Sequence, residues 1–215
     1  MPIVRTVIIL LSGLMLASCS LPYYTQSVYG HLRLMSKREP IAEIVADPDT
    51  DPELRAQLEL VMEIRGFAVD QLALPDNGSY TKYAQLDGEY PVWNVFAAEE
   101  FSVDPVTWCF PFTGCVAYRG YFSESRARGY ADRLIERNAY DVWVGGAIAY
   151  STLGHFKDPV LSSMLRYQDP WLAGLIFHEF AHQRLYVKGD SGFNEAFASV
   201  VGEIGMERWL ASREG

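Results

Sequence analysis

The sequence predicts an α+β fold, mostly helical, with a small mixed or antiparallel sheet. Three observations carry that expectation. Apolar residues recur at helical spacing through Leu54, Leu58, Val61, Ile64 and Ala68, the signature of one buried helical face. The middle third changes to β-rich runs at 90–96, 116–122 and 139–150, with the aromatic and β-branched content of strands. The last third returns to near-continuous apolar helix, from Trp171 to Leu185 and again from Phe193. Strands flanked by helices, followed by an all-helical end, suit helices gathered against a modest sheet. With 49% of residues apolar and 13 tyrosines, the chain can bury a core. It shows neither an internal repeat nor a low-complexity tract.

The chain opens with Arg5 and the apolar run Val7–Leu16, which has the form of a secretory leader and is too short to persist as a membrane-spanning helix. The run ends in Leu16-Ala17-Ser18-Cys19, which resembles a bacterial lipoprotein cleavage box. The alternative is an ordinary leader with an incidental cysteine. The resemblance implies a signal peptide over 1–18, a lipidated Cys19 and a single domain over 19–215. Ser20 stands where an inner-membrane retention signal carries Asp, which places the mature protein at the outer membrane, facing the periplasm of a Gram-negative host. Removing 1–18 takes Arg5 alone from the charged set, so the formal charge of −9 becomes one unit more negative. That balance argues against nucleic acid or an anionic membrane face as a partner.

Residues 22–40 read as an amphipathic helix with Val28, Leu32, Leu34 and Met35 on its apolar side. His31 there reads as a packed surface histidine and not a ligand. Asp51 and Pro52 form an N-cap and first helical residue for the long stripe described above, which stops near Pro75–Ser79. Cys109 and Cys115 enclose Pro111 and Gly114. In an oxidising compartment they form a candidate disulfide, worth about 2 kcal/mol of loop-closure entropy, with two free thiols as the alternative. Residues 123–138 read as an exposed helix starting from a Ser123 cap, and Gly145-Gly146 as a bulge or close approach within the last strand. Asp158-Pro159 is expected to start a short helix, and Asp169-Pro170 the apolar one that follows.

That apolar helix contains Phe177-His178-Glu179-Phe180-Ala181-His182, an H-E-x-x-H pattern. At 100° per residue, His178 and His182 fall on one face a turn apart, where two imidazoles can hold one zinc ion with Glu179 beside them to polarise water. A buried carboxylate next to two imidazoles is costly without a partner, and a metal ion satisfies all three. Asp190, Ser191 and Gly192 break the helix, so a second helix can fold back and bring Glu195 to the open side of the histidines. Two histidines and a glutamate leave the fourth position of zinc free for chemistry. Glu203 is the second choice for that ligand, or a residue that orients a histidine. His155 and Tyr150 are rival donors to a developing oxyanion.

In these residues the chain resembles the gluzincin metallopeptidases, whose third ligand sits in an Asn-Glu pair followed by a small residue, as in Asn194-Glu195-Ala196. Twelve residues separate His182 from Glu195, a shorter spacing than in thermolysin or the zinc aminopeptidases. The resemblance implies a zincin-like pair of metal helices and a substrate chain lying along a sheet edge, for which Gly146–Tyr150 is the candidate. Where one branch of zinc aminopeptidases carries a glutamate that grips the substrate amine, this chain has Ala149 and Tyr150. With the cleavage box, Tyr23-Tyr24, Tyr150-Ser151-Thr152-Leu153-Gly154, the metal motif and Phe193-Asn194-Glu195 together, the chain is similar to a bacterial family of predicted lipoprotein aminopeptidases. Members usually continue well beyond the second metal helix, whereas this sequence stops at Gly215, so the domain is expected to be C-terminally truncated.

The expected function is a lipid-anchored zinc metallopeptidase acting on a peptide or protein substrate. His178, His182 and Glu195 would hold one zinc and Glu179 would act as the general base. Two other classes compete: a zinc-binding scaffold of the cell envelope without turnover, and a zinc amidase acting on cell-wall peptides.

Overall fold

The computed structural model describes residues 21–213 apart from 112 and 139. Residues 1–18 and Cys19 lie outside the described residues. In chain order the elements are α1 (Leu21–Ser36), β1 (Glu39–Pro40), α2 (Ile41–Ala46), α3 (Pro52–Leu72), β2 (Lys82–Ala84) and β3 (Val92–Glu99). Then come β4 (Trp108–Phe110), β5 (Gly114–Val116), β6 (Arg119–Tyr121), α4 (Glu124–Asn138), β7 (Tyr140–Ala147) and β8 (Val160–Leu161). A 3₁₀ turn at Met164–Arg166 leads into α5 (Asp169–Arg184) and α6 (Ser191–Arg213). The fold is α+β, mostly helical, with small mixed and antiparallel sheets. No helix among the described residues is long and apolar enough to cross a membrane.

Two cores organise these elements. The larger lies among α3, α5, α6 and the small mixed sheet β1-β2-β8, around Leu58, Ile64, Leu161, Ile176, Phe177 and Trp209. Asp51 caps α3 by accepting from the N–H groups of Glu53 and Leu54, and the stripe Leu58, Val61, Ile64 and Ala68 is buried, as its spacing demands. The second core lies between α4 and the antiparallel sheet β6-β3-β7, around Val95, Tyr121, Ala127 and Leu134. Ser123 accepts from the N–H of Arg126 at the start of α4. Among the described residues β7 pairs only with β3, so it is an edge strand there. Tyr90 lies so close over Gly146 that a Cβ there would have no room.

Several local expectations change. α1 buries Gln26, Gly30, Leu34 and Met35 and leaves Val28 and Leu32 exposed. The docking face is set by Phe122, whose ring fills the space above Gly30 and whose N–H donates to Gln26 Oε1. The run 116–122 is not one strand. β5 pairs with β4 and β6 with β3, and the chain changes partner at Ala117 and Tyr118. Asp158 starts no helix, because its carboxylate accepts from Thr152, Ser151 and Gln183. The residues after it pair with β2 instead. Gln168 is the N-cap of α5, with Asp169 and Pro170 in its first turn.

Candidate metal centre

α5 and α6 pack antiparallel, and a short side chain at the crossing sets how closely. A Cβ on Gly202 would sit 2.9 Å from the carbonyl oxygen of Gly174 and 3.3 Å from the Cβ of His178. Glycine there lets the two backbones approach at the level of the motif. The connector 185–190 then turns the chain back. Buried Asn194 fixes this turn from both sides, with the Val187 N–H donating to its Oδ1 at 2.7 Å and its Nδ2 donating to the Val187 carbonyl at 2.8 Å. Asp190 accepts from the Phe193 N–H, as an N-cap does. The residue before Glu195 therefore aims the first turn of α6.

The β4–β5 hairpin presses on the same connector. Cys109 lies opposite Cys115, and the two are joined by a disulfide. Tyr186 donates to the Thr113 carbonyl, and Lys188 Nζ donates to that of Pro111. Gly114 has φ +80°, and a Cβ on it would come 2.9 Å from the Gly189 nitrogen. Only glycine fits both the left-handed backbone and the contact.

His178 Nε2 and His182 Nε2 face each other at 3.1 Å, and the Glu195 carboxylate oxygens lie 3.4 Å from the first and 3.7 Å from the second. Bonds of about 2.0–2.2 Å at a tetrahedral angle set donors roughly 3.3–3.6 Å apart. The three side chains thus fit a metal ion, and their ligand atoms all lie within 4.8 Å of one another. Two imidazole nitrogens turned toward each other beside a carboxylate also need a shared cation or proton to be favourable. Among the described residues, buried His182 Nδ1 has no hydrogen-bond partner, so Glu203 does not orient that ring. Glu203 sits farther along α6, in the wall of a cleft beside His178, and is not in the ligand cluster.

The charges around the cluster push its groups in different directions. Burial lowers His178, but the hydrogen bond it donates to Glu195 and the charges of Glu179 and Glu195 outweigh it, leaving its pKa above the ordinary histidine value. His182 is pulled down, chiefly by burial. Glu195 is held low, first by its hydrogen bond to His178 and then by the charges of both histidines. Glu179 is raised to about 7, by burial above all and then by the charges of Glu195 and Asp158, with His178 opposing. Tyr80 lies behind it, fully buried with φ +59°, its ring 4.8 Å from that of Phe180. The buried Asp158 carboxylate accepts from Gln183, which in turn accepts from Asn77. That chain ties the end of α5 to two loops.

Of the residues weighed as oxyanion donors, neither reaches the cluster. Tyr150 bonds to His31 Nδ1 at 3.1 Å, and His155 is exposed in a turn. No motif marks Tyr118 and Tyr186 in the sequence. Burial, then the charges of Glu195, Tyr186 and Glu179, push the Tyr118 hydroxyl up to about 12. Burial and then Glu195 raise Tyr186. Tyr118 sits where the chain passes from one sheet to another, a position that no periodicity marks.

An α+β fold with a His-His-Glu cluster able to bind a metal, and a carboxylate of raised pKa beside it, defines a candidate metallohydrolase. The chain belongs to the family described as "Putative aminopeptidase", whose model matches residues 22–215. No curated protein and no solved structure gives a significant match.

Proposed function

We propose that this member of the family is a zinc metallopeptidase, lipid-anchored at Cys19 in the cell envelope and facing the periplasm. One observation carries the catalytic part: the donor triangle of His178, His182 and Glu195, at 3.1, 3.4 and 3.7 Å, lies within a few tenths of an ångström of the spacing about a tetrahedral ion, with Glu179 beside His178 in the helix. Zinc held by these three residues would supply Lewis acidity at an open fourth position.

The protein's own groups do the rest. Glu179, whose burial in the metal-free protein raises its pKa to about 7, is the proton carrier. It accepts a proton from the attacking water and returns it to the nitrogen of the leaving amine. Tyr118, protonated at any physiological pH, takes over from Tyr150 and His155 as the candidate donor to the carbonyl oxygen. The Asn194 clamp on the connector and the glycine seam between α5 and α6 hold the ligands in register.

The test is metal content and peptide hydrolysis of the purified protein beside Glu179→Gln. About one zinc per chain in both proteins, with hydrolysis falling about 10²–10⁴-fold in the variant, is the expected result. Zinc without hydrolysis in the wild type would leave an envelope zinc-binding protein, and no zinc would remove the enzyme reading. Mass spectrometry of the mature amino terminus tests lipidation of Cys19 separately.

A further inference from the structure

α1 docks by one side and carries a second apolar side that, among the described residues, nothing covers. Its docked face is Gln26, Gly30 and Leu34, with the Phe122 ring filling the space above Gly30. On the opposite side stand Leu21, Val28 and Leu32, each 58 to 64% exposed. At 100° per residue these three fall within about 40° of one another. Tyr24 and Tyr29, also exposed, flank them on either side. Phe156, exposed in the loop before β8, widens the strip by packing against His31 at 4.7 Å between ring centroids.

Apolar side chains aligned on the water-facing side of a helix mark a surface that meets something apolar. Two observations say what it meets. The strip begins at Leu21, two residues after Cys19. With 16 residues, α1 is about 24 Å long, too short to span a bilayer and near enough to lie along one that holds the acyl chains of that cysteine. The charge pattern agrees. The chain has 27 acidic residues, yet none precedes Glu39, so α1 offers phosphate headgroups no carboxylate to repel them. At its far end Arg33 and Lys37 share the carboxylate of Asp87. The negative charge that argues against a membrane face therefore lies elsewhere along the chain. Tyrosines bordering an apolar strip suit the interface, with the ring in the apolar layer and the hydroxyl among headgroups.

We infer that α1 lies along the phospholipid surface beside the anchor, with Leu21, Val28 and Leu32 dipped about 5–10 Å into the boundary between headgroups and acyl chains. The assignment rests on the proposed lipidation of Cys19 and deepens it. Lipid alone would leave the domain swinging on a tether, whereas the strip holds it in one orientation.

The strip is exposed, so substitutions there leave the fold intact. Val28→Cys, Leu32→Cys and, as a control on α6, Ile204→Cys are labelled with bimane in the full mature protein. Each is mixed with phosphatidylethanolamine–phosphatidylglycerol vesicles that carry a nitroxide lipid. The labels at 28 and 32 should lose about half or more of their emission, and the label at 204 should keep it. Adding Leu32→Asp to Val28→Cys should restore emission while the protein still floats with the vesicles. Equal quenching at 28 and 204, or quenching at 28 that survives Leu32→Asp, would overturn the inference. Efficient disulfide formation between two Val28→Cys chains at low vesicle loading would give the face to a second copy and overturn it as well. Quenching at 28 and 32 with no lipid on Cys19 by mass spectrometry would sink the anchor alone. Lipidated protein that floats with vesicles and keeps the emission of both labels would sink this inference alone. Unlipidated protein that binds no vesicle would remove both.

Discussion

Two glutamates on α6, Glu195 and Glu203, lie two turns apart, and the helix treats them differently. Around Glu195 the backbone is fixed before the helix begins: Asp190 caps it, Asn194 clasps Val187, and the hairpin rests on Gly189. Around Glu203 the backbone of Gly202 is pressed against α5, but the side chain meets only the cleft. Helical spacing alone makes both carboxylates eligible to face the histidines. What separates them is the turn that enters the helix, which brings the Glu195 oxygens to within 3.4 and 3.7 Å of the two imidazoles.

The sharpest way to break this contrast is metal binding. Glu195→Ala should weaken zinc affinity about 10²-fold or more, whereas Glu203→Ala should leave it within about two-fold; competition with a fluorescent chelator reads both. Equal losses would erase the distinction. Next in size is Asn194→Ala, which strands the N–H of Val187 and leaves its carbonyl with the Asp190 N–H alone. It should cost about 1–3 kcal/mol in urea unfolding and weaken zinc about 10–100-fold without touching a ligand. A stability loss with unchanged affinity would show that the clamp does not aim Glu195.

The smallest effect is a titration. In metal-free protein, Glu195→Ala removes the hydrogen bond and charge that raise His178, so its pKa falls; Glu203→Gln should leave it in place. Imidazole resonances followed by NMR measure both shifts. The sign for metal follows. Since His178 must give up its proton to bind, affinity falls as pH drops through its raised pKa, by up to about ten-fold per unit. His182 and Glu195, both held low, add little to that slope.

The sequence exposed the parts of this molecule that are built locally. The apolar stripe of α3, the Asp51 and Ser123 caps, the motif helix and the Asn-Glu pair depend on neighbours a few residues away, and their spacing carries the information. The small sheet was invisible because β1 and β8 are two residues long, too short for any alternation. The buried face of α1 departs from its apolar side because Phe122, almost a hundred residues on, decides it. Asp158-Pro159 has the form of a helix start, yet the carboxylate is consumed by loop donors. Tyr118 feels the charges of Glu195 and Glu179 from the step between β5 and β6, where the chain changes sheets.

Asp158 has one more consequence. It is 1% exposed, and its carboxylate is satisfied by neutral donors alone. Its field reaches Glu179 and Tyr80, as does that of Glu195 for Glu179. The interior around the motif therefore carries an excess of negative potential before any ion arrives. A dication relieves several of these repulsions at once, while a monovalent ion or a single proton relieves them only in part. Asp158 would thus bear on which ion the cluster accepts through its charge alone, without reaching the three side chains that would hold it.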